Sequence, residues 1–150
     1  MIIRAARPDE VAALTELIFA SKRSWGYDDA FMEQCRSDLV LHQSDIAAGH
    51  VYVAVDEGDE VLGVYVLQGL GGGEAELDAL FVAPLRMGSG VGASLLAHAM
   101  NRARAEDYAT LRLDSDPFAA TFYERQGATL IGTATAASTG RELPRYEFLL

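Results

Sequence analysis

Apolar positions along the chain follow two periods. At Val11, Leu14, Leu17 and Ile18 they recur every three or four residues. That spacing predicts a helix with one buried face, opened by Pro8-Asp9-Glu10. Trp25-Gly26-Tyr27 ends it, and a second helix is predicted over Asp28–Leu39. Elsewhere apolar residues run together or alternate, which predicts strands at Ile2–Ala6, Val51–Val55, Val61–Leu67 and Glu76–Val82. A polar turn, Asp56–Glu60, joins two of them as a hairpin. Gly71-Gly72-Gly73 reads as a loop. A third helix carries Leu95, Leu96, Ala99, Met100 and Ala103 on one side, with Arg102 and Arg104 near its C-terminal end, where cations suit the dipole. After the strand Leu111–Leu113, Asp116-Pro117 starts a fourth helix, with Asp as cap and Pro in the first turn, and Gly127 stops it. Strands Thr129–Thr133 and Arg145–Leu149 follow, joined by Ser138-Thr139-Gly140. Seven strands and about four helices in the order β, α, α, β, β, β, α, β, α, β, β predict one α/β (α+β) domain over residues 1–150. Its mixed central sheet would carry helices on its faces.

Composition narrows the function. The 150 residues carry 22 acidic and 12 basic side chains, a net charge of −10. Nucleic acid is a poor partner for such a surface. The charge either attracts cationic substrates or does no more than keep the protein soluble. The single cysteine, Cys35, excludes an internal disulfide and a cysteine metal cluster, and reads as a packing residue. No metal-ligand spacing is present. With no leader or apolar span, the chain is expected in the cytoplasm and off the membrane.

The chemistry concentrates where the fourth strand ends at Pro84. Gly88, Gly90 and Gly92 follow at alternate positions, and then a helix begins. Backbone amides and the helix dipole converge at such a corner and bind phosphate. The Gly-Lys-Ser/Thr of a P-loop is missing. Gly88-Ser89-Gly90-Val91-Gly92-Ala93 matches the dinucleotide pattern only formally, because Pro84-Leu85-Arg86-Met87 separates it from the strand.

Val82-x-Pro84-x-x-Met87-Gly88-Ser89-Gly90-Val91-Gly92 resembles the acyl-CoA signature of the GCN5-related N-acetyltransferase (GNAT) superfamily. Met87 stands where that signature has Gln or Arg. The later run from Asp116 to Ala128, with Tyr123-Glu124 and Gly127, resembles the family's second motif. There Asp116 replaces Asn and Ala128 replaces Phe. The start, Ile2-Ile3-Arg4 to Asp9, is also similar, so the resemblance spans nearly the whole chain. It implies a mostly antiparallel sheet and acetyl-CoA as co-substrate without a metal. It also implies transfer to a primary amine of a small molecule or peptide by direct attack. A non-catalytic acyl-CoA-binding or sensing module would carry the same glycine corner. A homodimer is left open.

By this resemblance, Leu80, Phe81 and Val82 offer free backbone groups to the pantetheine arm. Met87, Gly88, Ser89, Gly90, Val91, Gly92 and Ala93 cradle the pyrophosphate, with Arg86 near the phosphates and Asp116 near the pantetheine. Tyr123 is the expected acid for the leaving thiolate. Glu76 and Asp78, two apart and so on one strand face, are the candidate bases, with Glu76 preferred. Leu77 and Ala79 are expected on the opposite face. Trp25 and Tyr27 are the expected acceptor wall, where aromatic faces could hold an ammonium. The loop Ala136–Leu143 would form the other wall.

Overall fold

A computed structural model describes residues 1–150. Seven strands form one sheet: β1 (Ile2–Ala5), β2 (Val51–Val55), β3 (Val61–Gly71), β4 (Glu74–Val82), β5 (Thr110–Asp114), β6 (Thr129–Thr135) and β7 (Glu142–Leu149). Their spatial order is β1-β2-β3-β4-β5-β7-β6. Every neighbouring pair is antiparallel except β4 and β5. Alternation along the strands gives the sheet two apolar faces. On one face, α5 (Val91–Ala105) and α6 (Ala120–Arg125) cover a core that includes Leu95, Leu96, Ala99 and Tyr123. On the other, α1 (Val11–Arg23) covers Val51, Val53, Val55 and Val64 with Leu14 and Ile18. At Gly63 a Cβ would stand 2.8 Å from a Leu95 methyl and 2.9 Å from the Phe81 carbonyl oxygen. Glycine there lets α5 sit directly on the sheet.

The strands and the two long helices lie where the apolar periods predict them, with three differences. The single helix expected over Asp28–Leu39 is two, α2 (Asp29–Gln34) and α3 (Arg36–Leu39). They break at Cys35 (φ −93°, ψ 8°), which is itself buried in the α1-side core, 3% exposed. An unpredicted helix, α4 (Gln43–Ala47), follows. It buries one side chain, Ile46, and is started by the Asp45 carboxylate accepting the His42 amide at 3.2 Å. One apolar contact is too little to register as a period. Third, Gly71 ends β3 and Glu74 begins β4, so the expected glycine loop is a tight hairpin.

Two irregularities in β4 shape everything that follows. Val66 pairs with Ala79 but Leu67 pairs with Leu77, so Asp78 is the extra residue of a β-bulge. The bulge reverses the alternation. Ala75 and Leu77 face the α5 core, whereas Ala79 and Phe81 face the α1 core. Ala79 therefore lies on the face opposite to the expected one. The parallel ladder of β4 to β5 then holds only from Glu74–Thr110 to Glu76–Arg112. Beyond it the two strands part, and Leu77–Val82 have no partner on that side.

Candidate active site

Beyond β4, Pro84–Arg86 make a 3-10 turn and the chain enters the glycine corner. Gly88 and Gly90 have φ of 78° and 91°, in the left-handed region, and a Cβ at either would meet nothing within 4 Å. Conformation, not crowding, demands glycine there. The amides of Gly88, Gly90, Val91, Gly92 and Ala93 find no backbone acceptor. They are the orphan donors of the start of α5, joined by its dipole. The 15 residues of α5 make that dipole a full one. A phosphate fits this corner.

A groove of about 380 Å³ runs from the corner along the unpaired edge of β4. Leu80, Phe81, Val82, Met87, Gly88, Gly90, Gly92 and Ala93 line it, and Tyr123 closes its inner end. Two members of the corner differ. Ser89 turns its hydroxyl back onto the Arg86 carbonyl, and the Val91 side chain is buried in the core, leaving only its amide toward the corner. Arg86 is exposed beside the corner.

Tyr123 stands on α6. Asp116 begins that segment by accepting the Phe118 amide at 2.9 Å, and Pro117 follows in the first turn. Tyr123 is 6% exposed and no protein group bonds its hydroxyl. Burial pushes its pKa far up, so the phenol holds its proton. Tyr123 also borders a small cavity, about 60 Å³, that fills the gap between the parting strands.

Beside that cavity lies a third, about 180 Å³, between α1–α3 and the loop joining β6 to β7. Both share Asp78, Asp114 and Asp116. Asp78 is the bulge residue, exposed to solvent where it borders both cavities. Burial first, then the charge of Glu76, a hydrogen bond with it and the charge of Asp45, raise its pKa to about 6. Glu76 has a cation of its own: Arg112 Nη2 donates to it at 3.3 Å, and Arg112 also pairs with Glu74 at 3.3 Å. Of the two carboxylates, Asp78 is the one without a cationic partner.

Asp116 anchors the cavity wall. Its side chain is 8% exposed and receives Lys22 Nζ at 3.0 Å, Arg141 Nη2 at 3.2 Å and the Tyr27 hydroxyl at 2.9 Å. Burial alone would raise its pKa, but the Phe118 amide, Lys22 and Tyr27 outweigh burial and lower it. The network ties α1, the segment before α2, the start of α6 and the β6–β7 loop together. Removing one partner of such a buried group typically costs about 3–5 kcal/mol, because the opposite charge is left uncompensated.

The aromatic residues divide between the cavities. Trp25 borders the groove and the junction cavity, stacked on Phe118 with centroids 6.2 Å apart. It does not reach the third cavity. Tyr27 stands behind Phe31, 4.3 Å between centroids, and Phe31 and Phe81 are the rings that line that cavity. Ala136, Ser138, Thr139, Arg141 and Leu143 supply the opposite wall from the expected loop. Lys22 and Arg141 did not emerge from the sequence patterns. Lys22 falls four residues after Ile18 on the buried stripe of α1, and a lysine on an apolar stripe is a signal of a buried partner. Arg141 lies in a polar loop and gives no such signal.

A family model described as an acetyltransferase (GNAT) domain matches residues 47–127. No curated protein matches the chain. Among solved structures, the chain is similar to the PaiA N-acetyltransferase of Thermoplasma acidophilum in complex with coenzyme A. The TM-score is 0.82 at 17% identity, covering 99% of this chain and 98% of that one. A GCN5-related N-acetyltransferase from Rhodopseudomonas palustris gives 0.81 at 22%, covering 99% and 95%. The ribosomal-protein-alanine N-acetyltransferase of Brucella melitensis gives 0.70 at 22%, covering all of both chains. These likenesses establish the fold.

Proposed function

Because the chain belongs to the GNAT acetyltransferase family, we propose that it transfers an acetyl group from acetyl-CoA to a primary amine of a small molecule or peptide, by direct attack. One observation carries the reading. A single small cavity brings together the open edge of β4, the unpartnered Tyr123 hydroxyl and the uncompensated Asp78 carboxylate.

The residues fit the co-substrate. Five free amides and a helix dipole suit a pyrophosphate, and an apolar groove beside an unpaired strand edge suits the amide-bearing pantetheine arm. When bound, acetyl-CoA supplies an activated acyl carbon and a thiolate leaving group. Free β4 amides over Leu80–Val82 hold the carbonyl and stabilise the charge that builds on its oxygen. Asp78 takes the proton that the ammonium must lose before its nitrogen can attack. As the C–N bond forms and the C–S bond breaks, Tyr123 gives its proton to the departing sulfur. The phenolate recovers a proton from the amide nitrogen or water. The sum is amine plus thioester to amide plus thiol. Glu76 acts through Asp78: its charge helps hold that carboxyl near neutrality.

The pH profile tests the base. With Asp78 near 6, kcat/KM should fall about tenfold per pH unit below that value, as the carboxylate protonates. Asp78→Asn should lower the rate by roughly 10²-fold or more and erase that limb, leaving only the rise from the amine's own ionisation. Glu76→Gln removes a charge that raises Asp78, so the limb should move to lower pH. Stability supplies a second readout. The folded chain holds the Asp78 proton more tightly than the unfolded chain, whose value is near 3.8. Asp78's contribution to stability is therefore present at low pH and lost as pH rises through about 6, and the Asn variant escapes that loss. An acidic limb unchanged in Asp78→Asn would dismiss Asp78 as base.

A further inference from the structure

We infer that the acceptor is a compact diamine: one amine meets Asp78 and is acetylated, while the second, still charged, is held by Asp38 and Asp45 in the third cavity. This rests on the acetyl-transfer reading above. The groove suits the pantetheine arm, and the junction cavity is only about 60 Å³. An amine that gives its proton to Asp78 therefore extends the rest of its skeleton into the third cavity, which Asp78 also borders. That cavity is about 180 Å³. At roughly 30 Å³ for each water-sized group, it takes about six such groups.

Its lining is out of charge balance. Asp38, Asp45, Asp78, Asp114 and Asp116 face it, against two cations, Lys22 and Arg141. Both cations are committed to Asp116, at 3.0 and 3.2 Å. The Arg141 guanidinium also lies over the Phe31 ring, 4.9 Å from its centroid. Asp114 has Arg145 at 2.7 Å. Asp78 serves the reacting amine, which leaves Asp38 and Asp45. Asp38, on α3, accepts the Ser138 hydroxyl from the opposite wall, and Asp45, on α4, accepts the His42 amide. These neutral donors fix the two carboxylates without discharging them, and no cation pairs with either. The Asp45 charge also reaches Asp78, where it helps raise the pKa. Negative charges gathered on one cavity favour a ligand that brings a cation and disfavour one that brings a carboxylate. Ile18, Leu39, Leu41 and Val66 line the same cavity and suit a short run of methylenes.

The test uses the intact protein, acetyl-CoA and four acceptors: 1,4-diaminobutane, 1-aminobutane, 4-aminobutanoate and a short peptide with a free N-terminus and no lysine. We expect kcat/KM for the diamine to exceed that for the monoamine by roughly tenfold to a hundredfold, mostly through KM, with 4-aminobutanoate lowest. Asp38→Asn and Asp45→Asn keep an acceptor for the Ser138 hydroxyl and the His42 amide. Each should cut the diamine-to-monoamine ratio by about tenfold, and comparison between variants cancels any difference in amine basicity. Asp45→Asn should also move the Asp78 acidic limb to lower pH. Equal handling of diamine and monoamine by the native chain, turnover confined to acceptors with a single amine, or an unmoved ratio in the folded variants overturns the inference and leaves acetyl transfer standing. A chain that acetylates no primary amine overturns both.

Discussion

Gly90→Asp abolishes acetyl-CoA binding while Gly90→Ala only weakens it. Both side chains would enter open space, and both must adopt φ near 91°. For alanine this conformation costs about 1–2 kcal/mol, and aspartate is among the residues that tolerate it best. Strain alone therefore predicts that Asp is the milder change. Charge predicts the reverse. A carboxylate about 4 Å from a bound phosphate is repelled by roughly 4 kcal/mol at the effective dielectric of a protein surface. That is about three decades in Kd. The carboxylate would also compete for the free amides at the start of α5. Calorimetry with CoA on both variants, with thermal unfolding as a check on the fold, separates the two effects. Equal binding by the two variants would remove the phosphate from this corner.

Tyr123→Phe lowers kcat by about 10²-fold or more and leaves acetyl-CoA affinity nearly unchanged. The ring is packed in the α5-side core, and phenylalanine keeps that packing. The hydroxyl bonds no protein group, so its loss orphans nothing and stability should hold. A purely structural tyrosine would leave kcat alone. A tyrosine that only holds the cofactor would move Kd or KM instead. Loss confined to kcat is therefore the mark of the acid. Full activity in the variant, on a confirmed acceptor, would dismiss the role.

Short-range chemistry made most of this site readable from sequence. Pro84 and the positive-φ glycines announce the corner, and Asp116-Pro117 with Gly127 bounds the segment carrying Tyr123. These signals act within a few residues. What stayed hidden depends on partners far along the chain. Glu76 and Asp78 look equivalent on an alternating strand. Arg112, on a neighbouring strand 36 residues on, neutralises one, and a bulge set by β3 isolates the other. Lys22 meets Asp116 across 94 residues and Arg141 meets it across 25. No local pattern encodes either pair. The break at Cys35 is invisible because Gln34-Cys35-Arg36-Ser37 contains no helix breaker.

The fate of the glycine corner and of Tyr123 meets in one measurement: free thiol released from acetyl-CoA across a panel of primary amines, with acetylated product counted in parallel. Acetyl transfer predicts amine-dependent release, one thiol for each acetamide, from at least one amine of the panel. Tight binding of acetyl-CoA with no amine raising thiol release above spontaneous hydrolysis would contradict it and make the chain an acyl-CoA-binding module.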